Sequence, residues 1–197
     1  RTCHYPNDPR FVDMAERMGF MLVDEADIET HGMGFEYRDT WDWPRWSSLS
    51  SLPEWREAYV DRAQRLFERD KNHASILIWS LGNESYGGKD IYEMSKYFHR
   101  EDSTRLVHYE GIVNDRRYPD SSDIESTMYT PVADIKEWLK EHRDKPYINC
   151  EYAHAMGNSN GAICKYMDLT EEDELYQGGF IWDYIDQSLT THDRYGV

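Results

Sequence analysis

Along this chain, apolar residues recur at helical spacing in some stretches and form short, nearly continuous β-rich runs in others, and the two patterns alternate. Asn7-Asp8-Pro9 carries a capping side chain followed by a proline, whose missing N–H costs nothing in a first helical turn. Phe11, Met14, Ala15 and Met18 then mark a helix that Gly19 stops, and residues 21–23 read as a strand. A longer helix is predicted from Pro53 on the stripe Trp55, Tyr59, Ala63 and Leu66, followed by a buried strand over residues 76–80. Ile91, Met94 and Phe98 give the next helix, and residues 106–109 the next strand. After a polar loop over 116–123 come a short strand at 127–129, a helix faced by Ile135, Trp138 and Leu139, and a strand at 147–150. A glycine-interrupted, weakly helical stretch covers 158–167, and residues 180–184, preceded by Gly178-Gly179, form the last strand.

Six strands separated by helices indicate βαβ units and a parallel sheet. A doubly wound sheet could use that number. The polar residues favour a barrel, because strand after strand ends in a carboxylate or a polar aromatic: Asp24-Glu25, Glu84, Glu110, Tyr129, Glu151 and Asp183. In (β/α)8 barrels the reactive face lies at the carboxyl ends of several strands. Such barrels use eight strands and about 250 residues, whereas this chain has 197 residues and begins at Arg1. The expected fold class is therefore α/β, a partial (β/α)8 TIM barrel holding about six of eight strands with the first two missing. Residues 1–197 would be the C-terminal part of such a domain within a longer multidomain chain.

Composition narrows the function. With 39% hydrophobic and 30% charged residues the chain can bury a core, which excludes a disordered linker. No apolar run approaches the roughly 20 residues of a membrane-spanning helix, and no basic-plus-apolar leader precedes the first residues. A formal charge of −16 repels phosphate backbones and anionic lipid, so neither nucleic acid nor a membrane is an expected partner. Cys3, Cys150 and Cys164, an odd number without C-x-x-C spacing, read as free thiols.

Three segments can carry chemistry. In Ile78-Trp79-Ser80-Leu81-Gly82-Asn83-Glu84-Ser85 an apolar strand ends, glycine turns the backbone, and an Asn-Glu pair is delivered at the mouth. In Tyr147-Ile148-Asn149-Cys150-Glu151-Tyr152-Ala153-His154 a second carboxylate sits past a strand, with a histidine three residues on. Two carboxyl groups from different parallel strands facing one pocket are what glycosidic bond cleavage requires. Two unrelated surface carboxylates remain open on spacing alone. In Asp24-Glu25-Ala26-Asp27-Ile28-Glu29-Thr30-His31-Gly32, Glu29 and His31 alternate on an extended segment and so point the same way. Hard oxygen donors with one imidazole suit magnesium or manganese, and a plain acidic loop is the alternative. Trp182 and the Trp41-Asp42-Trp43-Pro44-Arg45-Trp46 cluster offer flat faces for a sugar ring or for packing. His99, His108, His142 and His192 are assigned no role.

These segments resemble the β-galactosidases of glycoside hydrolase family 2. Arg1-Thr2-Cys3-His4-Tyr5-Pro6 and residues 24–32, 79–85, 150–159 and 180–188 are similar to that family's signatures, in its order, over nearly the whole chain. The resemblance implies cleavage of terminal β-D-galactosides with retention, through a covalent galactosyl-enzyme. Related β-glucuronidase or β-mannosidase activity, or a non-catalytic sugar-binding fragment, are the alternatives. By position it implies Glu84 as general acid/base and Glu151 as nucleophile. Glu29, His31 and Glu84 are implied as Mg2+ ligands, and the family's Na+ site takes ligands from segments this chain lacks. His4, Asn83, His154 and Trp182 are implied to hold or line the galactosyl site, with Tyr129 bonded to the nucleophile and Arg1 near it. Asp27 stands where asparagine is common in the family, and residues 111–123 are less familiar. Further implied are the remaining domains of a parent enzyme, a homo-oligomer at full length, and a bacterial-type cytoplasmic or periplasmic location. Residues 1–197 alone, an open barrel with an incomplete pocket, are expected to be inactive or weakly active.

Overall fold

The computed structural model of the chain describes residues 1–36, 49–154, 160–185 and 190–196. The tryptophan cluster at 41–46 lies outside the described residues, as do the ends of the 150–159 and 180–188 segments. Six strands appear in the expected alternation with helices: β1 Leu22–Glu25, β2 Ile76–Ser80, β3 Leu106–His108, β4 Glu125–Met128, β5 Tyr147–Tyr152 and β6 Tyr176–Ile181. The helices are α1 Pro9–Met18, α2 His31–Glu36, α3 Arg56–Asp70, α4 Lys89–Glu101, α5 Val132–Glu141 and α6 Ile163–Glu172. All strand pairs are parallel, in two three-stranded sheets ordered β1-β2-β3 and β4-β5-β6. Among the described residues β1 and β6 pair with no strand on their outer edges, so this is part of a barrel and not a closed one.

The sheets meet without a strand ladder between β3 and β4. Side chains take its place: Val107 N–H donates to Asp123 Oδ2 (2.7 Å) and Tyr109 N–H to Ser122 Oγ (2.9 Å), while Asp123 N–H donates back to Val107 O (2.8 Å). These bonds satisfy the backbone groups a ladder would otherwise have paired.

The helices cover one face of each sheet. Trp79 of β2 is fully buried, stacked on Phe98 of α4 (ring centroids 5.4 Å apart) and edge-on to Phe67 of α3. Its indole N–H donates to Asp102 at 3.0 Å, so the largest core side chain leaves no polar atom unpaired. A second, smaller core joins Ile135 and Leu139 of α5, Leu169 of α6, and Tyr147 and Tyr176 of the second sheet. A third set of side chains, alternating with these, is polar and buried: Glu25, Ser80, His108 and Ser126. They form a chain in which Ser80 Oγ donates to Glu25 (2.7 Å) and meets His108 Nδ1 (2.9 Å), and His108 Nε2 meets Ser126 Oγ (2.8 Å). Burial, and then the Arg1 charge, lower the His108 pKa to about 3, so the ring is neutral and relays hydrogen bonds between the sheets.

Asp8 caps α1 by accepting from Arg10 N–H, and Gly19 closes it at φ +79°. The differences from expectation are local. The helix foreseen from Pro53 begins at Arg56, and Trp55 sits at its cap, 46% exposed, instead of in the buried stripe. The weakly helical stretch is a helix only from Ile163 and runs on to Glu172. The last strand lies four residues earlier than the apolar run suggested, with Gly178-Gly179 inside it. A Cβ on Gly179 would come within 2.7 Å of Asn149 O in β5, so glycine here permits close strand approach instead of marking a turn.

Candidate active site

The functional side chains gather past the carboxyl ends of β1, β2, β4, β5 and β6. Pairing of β1 with β2 sets Glu25 beside Ser80, and a further bridge joins Glu29 to Asn83. That extension needs Gly82, since a Cβ there would fall 2.6 Å from Ile28 O. The next residues are thereby carried to the mouth with Asn83 buried and Glu84 partly exposed.

Arg1 ties this corner to β5. Its Nε donates to Glu25 (2.7 Å), one terminal nitrogen to Asn83 Oδ1 (2.8 Å), and the other to Glu151 Oε1 (3.1 Å) and Cys150 O (3.2 Å). Glu25 is buried, which would raise its pKa, yet the Arg1 charge and hydrogen bonds from His4, Ser80 and Arg1 pull it down to about 2. It is an anion at neutral pH and anchors both Arg1 and His4, whose Nδ1 lies 2.9 Å from Oε1.

Glu151 is buried and accepts on both oxygens, from Arg1 and from the Tyr129 hydroxyl (2.8 Å). Tyr129 is aimed by its left-handed backbone (φ +53°) and by its own N–H, which donates to Glu151 O at 2.7 Å. Burial first, then the bond to Glu151, raise the Tyr129 pKa, so it stays a donor. His4 Nε2 lies 3.6 Å from Glu151 Oε1, and the His4 ring stacks on Trp182 at 4.9 Å. His154 is near, with its ring 6.1 Å from that of Tyr129.

Glu84 faces the same space. Burial raises its pKa; His31 opposes the shift, while the Glu29 and Glu151 carboxylates add to it. The two carboxyl groups foreseen at strand ends therefore sense each other although they come from different sheets. Glu29, His31 and Glu84 also converge: each offers a ligand atom, all within 4.8 Å of one another, and His31 Nδ1 contacts Glu84 Oε2 directly. Asn83 Nδ2 donates to Glu29 at 2.7 Å and fixes one of these oxygens. Two carboxylates and one imidazole fit a hard divalent cation.

All the sequence-predicted residues are thus brought to one region: Glu84 and Glu151 with His4, Asn83, Tyr129, His154 and Trp182, and the Glu29–His31–Glu84 set. Asn83 spends its amide on Arg1 and Glu29. Two groups had no role assigned from sequence, the Glu25 carboxyl under Arg1 and the Glu110 carboxyl under the Glu84 backbone. A strand-end acid is the only signal either gives, and it does not separate a buried hub from a solvated side chain.

Parallel strands that feed carboxylates from several carboxyl ends into one mouth define an α/β-barrel enzyme site. The chain belongs to glycosyl hydrolase family 2: the family model described as "Glycosyl hydrolases family 2, TIM barrel domain" matches residues 1–197. It is 49% identical over 196 residues to a β-galactosidase of Halalkalibacterium halodurans, covering 100% of this chain and 19% of the relative. It is also 49% identical over 189 residues to a β-galactosidase of Clostridium acetobutylicum, covering 96% and 21%. The β-galactosidase large subunit of Lactobacillus acidophilus is 45% identical, covering 98% of this chain and 31% of that subunit. The chain thus spans about a fifth of the length of the first two relatives. Among solved structures, a Ruminococcus gnavus β-glucuronidase superposes with a TM-score of 0.67 at 18% identity, over 97% of this chain and 38% of that one. This likeness shows the fold.

Glu25 is the carboxylate that Arg1 Nε contacts, and removing it leaves a guanidinium that is 1% exposed with Glu151 as its remaining anionic partner. Glu25→Leu is expected to lower stability by about 3–5 kcal/mol, the cost of breaking a buried ion pair by removing one partner, measured by denaturant unfolding. A loss below about 1 kcal/mol would show that the pair contributes no more than a surface contact.

Proposed function

We propose that this chain supplies both catalytic carboxyl groups of a retaining β-galactosidase, of which it forms part of the catalytic barrel. The observation that carries the reading is the contrast between two facing glutamates. Glu151 accepts from a guanidinium and a phenol, partners suited to an anionic nucleophile. Burial raises the Glu84 pKa against the opposing pull of His31, and the Glu29 and Glu151 carboxylates add to the rise, a shift in the direction an acid catalyst needs. One carboxyl that can give a proton and one carboxylate that can attack are the starting state for double displacement.

Glu151 attacks the anomeric carbon while Glu84 protonates the departing glycosidic oxygen, leaving a galactosyl ester on Glu151. Glu84, now ionised, takes a proton from water as that water cleaves the ester, and both residues return to their first state. Tyr129 and Arg1 hold the Glu151 oxygens in place throughout. His4, braced by Glu25 and stacked on Trp182, would bond a sugar hydroxyl, and Trp182 would face the ring's C–H surface. His154 is placed to bond a further hydroxyl. Unpaired polar groups left by the wrong epimer supply the discrimination.

Glu29, His31 and Glu84 would hold magnesium. The ion would supply a positive charge that fixes the Glu84 carboxyl and tunes its acidity. The galactoside assignment is supported by relatives at 45–49% identity, whereas the β-glucuronidase likeness bears on fold alone. The rest of the barrel, further domains and a homo-oligomeric assembly belong to the same proposal, which fits the small share of each relative that this chain covers.

In the full-length enzyme, Glu84→Gly is expected to lose activity by roughly 100-fold or more. With an activated aryl galactoside, azide should restore turnover and give β-galactosyl azide. Formation of the α-azide would mean that the two glutamates have exchanged roles. Magnesium binding by titration calorimetry should weaken at least tenfold in Glu29→Gln and in His31→Ala without change in the melting profile of the metal-free protein. Unaltered affinity in both would remove these residues from the metal site.

A further inference from the structure

The loop that bears Glu84 is gripped from the neighbouring strand. Just past β3, the Glu110 carboxyl accepts the Glu84 backbone N–H at 2.6 Å, and the Tyr109 hydroxyl accepts the next one, from Ser85, at 3.2 Å. Tyr109 is fully buried and Glu110 is 5% exposed. The gripped backbone is left-handed at Glu84 (φ +34°) and again at Tyr86 (φ +63°), a conformation that persists for a non-glycine residue only where the surroundings impose it. Two acceptors on adjacent residues, holding two successive amides, fix the orientation of both peptide planes. The direction in which the Glu84 side chain leaves the backbone is then fixed too. Ser85 locks the turn from the other side, its Oγ donating to Asn83 O and accepting from Thr30 N–H, each at 2.9 Å.

A buried carboxyl is costly where an apolar side chain would pack as well, and it persists where its oxygen does a task. We propose that Glu110 is a positioning residue for the Glu84 carboxyl, acting through the Glu84 amide and assisted by Tyr109. The inference rests on the reading of Glu84 as the acid/base. Its signature is selective. A displaced acid should impair substrates whose leaving group needs a proton and spare those whose leaving group departs unaided.

The test uses the full-length enzyme with phenyl and 2,4-dinitrophenyl β-galactosides. Glu110→Asp withdraws the acceptor by one methylene, and Glu110→Gln keeps an acceptor oxygen at the original reach. For Glu110→Asp, kcat/KM on the phenyl substrate should fall roughly 10- to 100-fold, and on the dinitrophenyl substrate less than about threefold. Glu110→Gln should keep the wild-type ratio between the two. Amide exchange of residues 82–87, followed by mass spectrometry, should quicken in Glu110→Asp and not in Glu110→Gln. Equal losses on both substrates, no loss on either, or a Gln variant that behaves like Asp would overturn the proposal. If Glu110→Asp does not fold, Tyr109→Phe gives the same readout, with a smaller selective loss expected and a proportionate or absent one contradicting it. Glu84→Gly is run alongside. If it shows no leaving-group dependence, the reading of Glu84 fails; if it does and the clamp variants do not, only the present inference fails.

Discussion

A guanidinium and a carboxylate, both withdrawn from water, hold this site together. Arg1 and Glu25 are 1% and 0% exposed at their side chains and meet at 2.7 Å. Removing two charges from water is expensive, and the attraction between them offsets it only where every remaining donor and acceptor is used. Here all three guanidinium nitrogens of Arg1 donate, and both oxygens of Glu25 accept. Glu25 also takes Ser80 and His4, and the remaining Arg1 nitrogens take Asn83, Glu151 and Cys150 O. The pair therefore joins β1, β2 and β5, and it fixes the spacing between a residue adjoining Glu84 and Glu151 itself.

The same logic runs inward. The polar chain Glu25–Ser80–His108–Ser126 crosses from one sheet to the other where no strand ladder exists. It works because His108 is neutral; a second buried cation beside Arg1 would weaken the hub. Further out the electrostatics divide. Near Arg1, Glu25 is pulled down to about 2, whereas burial, aided by the Glu29 and Glu151 carboxylates and opposed by His31, raises Glu84, and burial pushes Glu110 up to about 8. The Arg1 charge and the hydrogen bonds on Glu25 outweigh its burial, whereas at Glu110 burial outweighs the pull of the same cation.

Much of this could be read from the chain. Helical stripes such as Tyr59-Ala63-Leu66 and short apolar runs such as residues 76–80 report burial directly, and all six strands appear where those runs predict them or within a few residues. Strand-end acids in a βαβ pattern marked where Glu84 and Glu151 would emerge, but spacing left them open as surface carboxylates, and their roles and those of His4, Asn83, Tyr129, His154 and Trp182 were expected from the family resemblance. The last strand was misplaced because a paired glycine looks the same whether it turns the chain or lets two strands approach. Trp55 misled the stripe because periodicity does not mark where a helix begins. Glu25 and Glu110 were invisible as hubs for a different reason. Their importance lies in partners 24 and 26 residues away, Arg1 and the Glu84 amide, which no local pattern encodes.

Trapping a glycosyl-enzyme tests the proposed role of Glu151 as nucleophile most directly. With 2,4-dinitrophenyl 2-deoxy-2-fluoro-β-D-galactoside, the good leaving group lets the glycosyl ester form on the full-length enzyme while the fluorine slows its hydrolysis, and peptide mapping then locates the ester. The account predicts one fluorogalactosyl group per active site, carried on the peptide containing Glu151. Inactivation with the label on any other residue, or a burst of dinitrophenol without a bound sugar, would contradict it.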